Sequence, residues 1–253
     1  MTDIFKIPLY YIGFKQNKSL ENQLRKWGFS NINHFEAIDG RKMDYKKLLK
    51  DNIISTRAYH DLKNGRSDDI SISSLGAIGC TLSHRELWKL CSEELPYIII
   101  AEDDLSLSQK ITKSDIENIQ TSLSEENGAF ISAKINKNSN FMYGAHLYFL
   151  TKGAAKKLFD KSLPISIQTD SYIKHIADIG DINLEGYNIS KQKSHTSSTA
   201  DICVKCLLPK GLTFYVILGV CILFIIISLF IFYKKYKSTK TKLDSCKSSC
   251  SYS

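Results

Sequence analysis

The chain has 253 residues, 43% of them hydrophobic and 24% charged, a balance that excludes an intrinsically disordered or low-complexity protein. Its net charge is +8, but six lysines (Lys234, Lys235, Lys237, Lys240, Lys242, Lys247) against Asp244 in the tail 234–253 supply most of that excess. Basicity of this kind suits anionic lipid head groups, and it gives no support to a nucleic-acid partner because no stripe of alternating aromatic and basic residues accompanies it.

Short apolar runs alternate with helical patterns over residues 5–200, which predicts one α/β domain. Leu9–Phe14 reads as the first strand. Lys18–Trp27 follows as a polar helix closed by Gly28, a natural C-cap. Ile32–Ile38 is expected as a strand that ends in the Asp39-Gly40 turn, with short surface helices at Tyr45–Leu49 and Thr56–Lys63. The longest helix is expected over Ser74–Glu94, capped by Ser73 or Ser74, with Leu75, Ile78, Leu82, Leu87 and Leu90 along one face. Gly76, Gly79 and Cys80 make another side of it small, so a second backbone or a ligand could approach closely there.

After Pro96, the unbroken apolar run Tyr97–Ala101 predicts a central strand covered on both faces. Thr112–Leu123 is expected as a helix, then Ala129–Ala133 and Ala145–Leu150 as strands. Thr151 is placed to cap a helix over Lys152–Lys161, with Ala155, Leu158 and Phe159 facing inward, and Asp170–Ala177 forms a further short helix. Residues 188–201 read as a polar loop.

Residues 201–210 form a juxtamembrane linker, and from Gly211 to Tyr233 there is no charged residue. About twenty such residues cross a hydrocarbon core of roughly 30 Å, so 211–233 is expected to span a membrane once. The lysine-rich tail favours a cytosolic C-terminus by the positive-inside rule. The N-terminal stretch lacks a signal peptide's apolar core, however, and a late span inserts tail first. The preferred orientation therefore keeps the domain in the cytosol, with a lumenal domain as the alternative, in which case the sequons at Asn17 and Asn188 would matter.

Of the seven cysteines, only Cys80 and Cys91 fall in the domain, where apolar helical surroundings suit packed free thiols. Cys203 and Cys206 form a CxxC with no second pair, which favours acylation or no role over a zinc site.

Glu102-Asp103-Asp104 comes directly after the apolar strand. In open α/β sheets, ligands bind outside the carboxyl ends of the strands. Strand alternation would put Glu102 and Asp104 on one side and Asp103 on the other. Hard oxygen ligands of this kind suit magnesium or manganese bridging to a diphosphate, whereas the same triplet could be a solvated acidic turn.

Residues 74–108 (SLGAIGCTLSHRELWKLCSEELPYIIIAEDDLSLS) resemble the core motif of glycosyltransferase family 25, which includes bacterial lipopolysaccharide sugar transferases and collagen galactosyltransferases. Gly76, Ile78, Gly79, Cys80, Leu82, Ser83, His84 and Glu102-Asp103-Asp104 occupy the motif positions. FEAIDGRKM (35–43) is similar to the family's Ala-Val-Asp-Gly-Arg segment through Ala37, Asp39, Gly40 and Arg41. GAHLYFLTKGAAKKLF (144–159), Asp170 after Pro164, and KSHTSST (193–199) extend the likeness. The first strand departs from the family, since Gly13-Phe14-Lys15-Gln16 stands where an Asn-Leu-Asp-Arg-type run is usual.

The resemblance implies an A-type glycosyltransferase (Rossmann-like) fold, a nucleotide-diphospho-sugar donor, a divalent cation and a glycan, lipid-linked or protein hydroxyl acceptor. It puts Asp104 and Glu102 at the metal, and Glu102, Asp103, Asp39, Arg41, Gly76 and Gly79 at the donor. Asp170 is the candidate base or acceptor contact. His84 is a catalytic candidate, with a hydrogen-bonded structural histidine as its alternative reading. The alternative for the whole chain is a degenerate transferase acting as a membrane-anchored binding module.

Overall fold

The computed structural model describes residues 2–106, 111–136, 138–139, 142 and 144–192. The expected linker 201–210, span 211–233, tail 234–253 and Ser-rich stretch 193–199 lie outside the described residues. No described helix is long and apolar enough to cross a membrane.

The described strands are β1 (Leu9–Gly13), β2 (Ile32–Glu36), β3 (Tyr97–Glu102), β4 (Leu105–Ser106), β5 (Gly128–Ile131), β6 (Leu147–Thr151), β7 (Asn183–Gly186) and β8 (Lys191–Gln192). The α-helices are α1 (Lys18–Trp27), α2 (Tyr45–Lys50), α3 (Thr56–Asn64), α4 (Leu75–Glu94), α5 (Lys113–Leu123), α6 (Lys152–Lys161) and α7 (Thr169–Asp178). A mixed sheet in the order β2-β1-β3-β6-β5-β7 forms the centre, and β4 pairs separately with β8. Within the larger sheet, β6 alone runs against its neighbours; the other five strands share one direction.

The pleat of β3 explains the layers. Ile98 and Ile100 point toward α4, α6 and α7, while Ile99 and Ala101 point toward α1 and α5. All four are fully buried. A strand covered on both faces has no solvent-facing position, so its sequence is apolar throughout. Each large side chain hidden this way contributes on the order of 1.5–3 kcal/mol. Continuing the same alternation, Glu102 falls on the α4 face. A smaller apolar cluster around Ile54, Ala58, Ile72, Ile78 and Ile165 seats α2 and α3.

Local signals set the helix ends. Asn17 caps α1 by accepting from the Leu20 amide at 3.0 Å, and Gly28 ends it at φ 108°, a left-handed backbone that glycine adopts without strain. Ser74 caps α4, and Thr151 caps α6.

The expected single apolar face of α4 needs correction. Of its five predicted positions only Ile78 and Leu87 are buried, whereas Thr81, Ser83, His84, Trp88 and Cys91 are buried as well. The helix is enclosed on several sides because the sheet, α6 and the 39–42 turn all pack on it. Gly79 gives that turn its room. A Cβ there would overlap the Ile38 carbonyl and the Gly40 amide. Ser83 fastens the contact, its hydroxyl accepting from the Ile38 amide at 2.9 Å and donating to the Gly79 carbonyl at 2.8 Å.

Candidate active site

The carboxyl ends of β1 and β3, the start of the reversed β6 and the N-terminal ends of α4 and α7 reach the same edge of the sheet. Between them opens a cavity of about 330 Å³. That volume sits at the lower end of the roughly 300–1,000 Å³ usual for small-ligand sites.

Glu102, Asp103 and Asp104 all line this cavity. The expected split, with Asp103 turned to the far side, is not what the chain does. β3 ends at Glu102, and the next two residues form a turn in which strict alternation no longer applies. The Asp103 amide still donates to the Ile12 carbonyl at 3.0 Å, which keeps the turn against the end of β1.

Glu102 engages the wall of α4. Its Oε1 lies 3.3 Å from His84 Nε2 and 3.8 Å from Cys80 Sγ. His84 is fully buried, and its Nδ1 sits 2.7 Å from the Tyr148 hydroxyl. Trp88 Nε1 donates to that same hydroxyl at 2.9 Å. An indole N–H only donates, so the tyrosine oxygen must accept it. A neutral imidazole then satisfies every group in one direction: Tyr148 O–H donates to Nδ1, and Nε2–H donates to Glu102. Burial works to raise the Glu102 carboxyl. The hydrogen bond from His84, with help from His146 and Cys80, outweighs it and holds the group below its ordinary value. Burial and the Glu102 charge push the Cys80 thiol well up.

Asp170 enters from the first turn of α7. Burial, reinforced by the Glu102 charge and only partly offset by backbone amides, raises its pKa to about 6. The Ser171 amide donates to its Oδ1 at 2.8 Å. Below it, Thr81 and Thr169 join α4 to α7 through a buried hydroxyl pair at 2.8 Å.

Arg41 also lines the cavity, and Asp39 holds it. The guanidinium is bidentate to Asp39, Nε to Oδ1 at 2.7 Å and Nη2 to Oδ2 at 3.1 Å, and lies 4.9 Å over the Phe14 ring. The Arg41 hydrogen bond holds the Asp39 carboxyl below its ordinary value. Asp39 itself is not among the lining residues, and its part is to orient Arg41. Gly76 lines the cavity; Gly79 instead lies under the 39–42 turn, because its small surface is filled by backbone.

Two residues escaped sequence reasoning. Tyr148 is the hub of the histidine network, yet an inward aromatic on a strand looks like any core residue. His146 lines the cavity, is buried, and its ring nitrogens make no hydrogen bond among the described residues. Burial lowers its pKa, against the opposing pull of the Glu102 charge. A histidine directly before a strand that starts at the cleft edge was the available signal, and it required knowing that β6 runs backwards.

Fold and site thus define a mixed α/β domain with an acid-lined cleft at its strand ends. Residues 14–138 match the family model described as Glycosyltransferase family 25 (LPS biosynthesis protein). A protein named Glycosyltransferase 25 family member from Drosophila pseudoobscura pseudoobscura is 28% identical over 92 residues, covering 36% of this chain and 14% of the relative. One of the same name from Drosophila melanogaster is 32% identical over 73 residues, covering 28% of this chain and 11% of the relative. The match therefore spans a small part of those longer proteins. Among solved structures, the apo form of mouse xyloside xylosyltransferase 1 is similar at 10% identity and a TM-score of 0.29, covering 68% of this chain and 61% of that one. The matched stretch contains β3, α4 and the acidic triplet, and these elements carry the chain's likeness to glycosyltransferase family 25.

Proposed function

We propose that this chain transfers a hexose from a nucleotide-diphospho-sugar to a hydroxyl of a glycan, a lipid-linked acceptor or a protein, using an A-type glycosyltransferase domain. The observation that carries the reading is the sharing of one cavity by Glu102, Asp103 and Asp104 with Asp170, Arg41 and His84.

The donor set fits magnesium or manganese. Carboxylate oxygens crowd the cavity, and Asp170 already feels the negative charge of Glu102. Asp103 and Asp104 are the residues that would hold the cation, as carboxylates at the turn directly beyond β3 that line the cavity. A cation bound there supplies charge neutralisation for the departing nucleoside diphosphate.

The protein's own groups do the rest. Arg41, steadied by Asp39, offers guanidinium donors to donor phosphates. Phe14 gives an apolar surface beside it. Asp170, with its pKa near 6, is ionised at neutral pH yet basic enough to accept the proton of an acceptor hydroxyl as the new glycosidic bond forms. His84, tied to Tyr148, fixes the Glu102 carboxylate in one orientation.

The reading includes a single span at 211–233 that keeps the domain beside a membrane. Its support is the uncharged run and the adjoining lysines.

Thermal-shift screening of nucleotide sugars with and without manganese tests the proposal. A donor should raise the melting temperature in a manganese-dependent manner. The shift should vanish in Asp104→Ala, along with transfer activity. A nucleotide sugar that is turned over equally by both proteins would remove the metal role. Absence of any nucleotide-sugar binding would leave the degenerate binding module as the better account.

A further inference from the structure

A second set of ligand atoms in the cleft suits a different metal. Cys80 and His84 stand four residues apart on α4, so their side chains share one strip of the helix, and Glu102 meets them from the end of β3. The three ligand atoms all lie within 4.8 Å of one another. Tetrahedral zinc, with bonds of about 2.0–2.3 Å to nitrogen, oxygen and sulfur, holds its ligand atoms roughly 3.3–3.8 Å apart. The His84 Nε2 to Glu102 Oε1 distance is 3.3 Å and the Cys80 Sγ to Glu102 Oε1 distance is 3.8 Å. Two of the three edges have the length that zinc requires.

The surroundings are those of a ligand histidine. Its second ring nitrogen is fixed by the Tyr148 hydroxyl, which Trp88 holds in turn. Such outer partners set the ring orientation and sharpen metal affinity. Cys80 is partly exposed to the cleft, which gives an ion a way in.

We propose that Cys80 Sγ, His84 Nε2 and Glu102 bind a divalent cation of the zinc class, with the fourth coordination position open to the cleft. On binding, the thiol proton leaves to solvent and the sulfur–metal bond forms. The imidazole changes tautomer: its proton moves from Nε2 to Nδ1, where it donates to the Tyr148 oxygen, and the Tyr148 O–H gives up its bond to Nδ1. A sulfur ligand selects zinc over magnesium and manganese, so this position and the carboxylates of Asp103 and Asp104 differ in metal preference within one cavity. The claim stands whether or not the chain transfers sugar.

The test is spectroscopic and uses the full chain, stripped of metal and titrated with cobalt(II), then zinc. Cobalt should give a thiolate charge-transfer band and the intense visible bands of tetrahedral coordination, both removed by zinc and untouched by excess magnesium. The double variant Cys203→Ser/Cys206→Ser should keep the signal. Cys80→Ser should lose the charge-transfer band and bind zinc at least about tenfold more weakly, and Glu102→Gln should weaken it similarly. A melt in chelator reports whether Cys80→Ser still folds. If it does not, protection of Cys80 from alkylation in the wild-type chain, by about tenfold in rate with zinc present, reads the same contact. No thiolate band in the wild type, a band that survives in folded Cys80→Ser, or one that disappears with Cys203 and Cys206 would each overturn the site.

Discussion

Both halves of α4 bury side chains, but of different chemistry. From Leu87 to Cys91 the inward positions are Leu87, Trp88 and Cys91, which pack with the strands and α6 in the larger apolar cluster. From Gly76 to His84 Ile78 packs in the smaller apolar cluster, but the remaining positions turned to the protein or the cleft are glycine, cysteine, threonine, serine and histidine, and the helix becomes a wall of the cleft. Burial alone therefore does not distinguish core from site here. Hydrogen bonding does. Thr81, Ser83 and His84 each find specific partners on other segments, and a buried polar group that loses its partner costs about 1–3 kcal/mol. One residue belongs to both halves. Trp88 fills the core with its rings and steadies the site through its indole N–H.

Trp88 is the place to break that comparison hardest. Trp88→Ala should cost about 3–5 kcal/mol of stability, read by denaturant unfolding, because it empties the centre of the apolar cluster. Trp88→Phe keeps most of the bulk and removes only the donor to Tyr148. It should cost about 1 kcal/mol of stability, yet it releases the chain that orients His84 and Glu102. If the phenylalanine variant transfers sugar as well as wild type, the two halves are energetically independent and the link through Tyr148 is idle.

The wall half is sharpened by the opposite experiment, a change that spares the core. Asp104→Ala should lower transfer by about 10²–10³-fold, equivalent to roughly 3–4 kcal/mol of transition-state stabilisation, while unfolding remains near the wild-type midpoint. An activity loss matched by an equal loss of stability would mean that Asp104 holds the turn rather than the donor.

How far the sequence anticipates this division depends on how local each signal is. The ends of α1, α4 and α6 were legible because a capping side chain or a glycine next to the first or last turn acts over three or four residues. β3 was legible because burial on both faces leaves no polar position. The acidic triplet was legible as a motif, but its disposition was not, since alternation stops where β3 stops. β7 went unseen because its four residues are alternately exposed and half-buried and carry no β-branched or aromatic residue. β4 and β8 are too short to pattern. The reversal of β6 is a property of the whole sheet, and with it went the roles of Tyr148 and His146.

Gly79 offers a smaller perturbation between the halves. Gly79→Ala adds one methyl where the Ile38 carbonyl and Gly40 amide already stand, so the 39–42 turn must lift from the helix. A cost of about 1–3 kcal/mol is expected, with weaker donor binding because Arg41 rides on that turn. Unchanged stability would mean that the turn relaxes freely and that Arg41 is not positioned by the helix.

The gentlest test titrates the site without altering its shape. Asp170 is held near pKa 6 in the folded chain, against about 3.9 in an unfolded one. Between those values the folded state binds more protons, so stability falls as pH rises and the favourable contribution is lost through pH 6. Relative to Asp170→Asn, which cannot ionise, wild type should lose about 1 kcal/mol of unfolding free energy between pH 5 and pH 7. The same group should give transfer an acid limb, with rate falling about tenfold per pH unit below 6 as the base is protonated. A flat stability difference across that range would place Asp170 in solvent-like surroundings. It would then lack the raised basicity that fits it to take a proton from the acceptor.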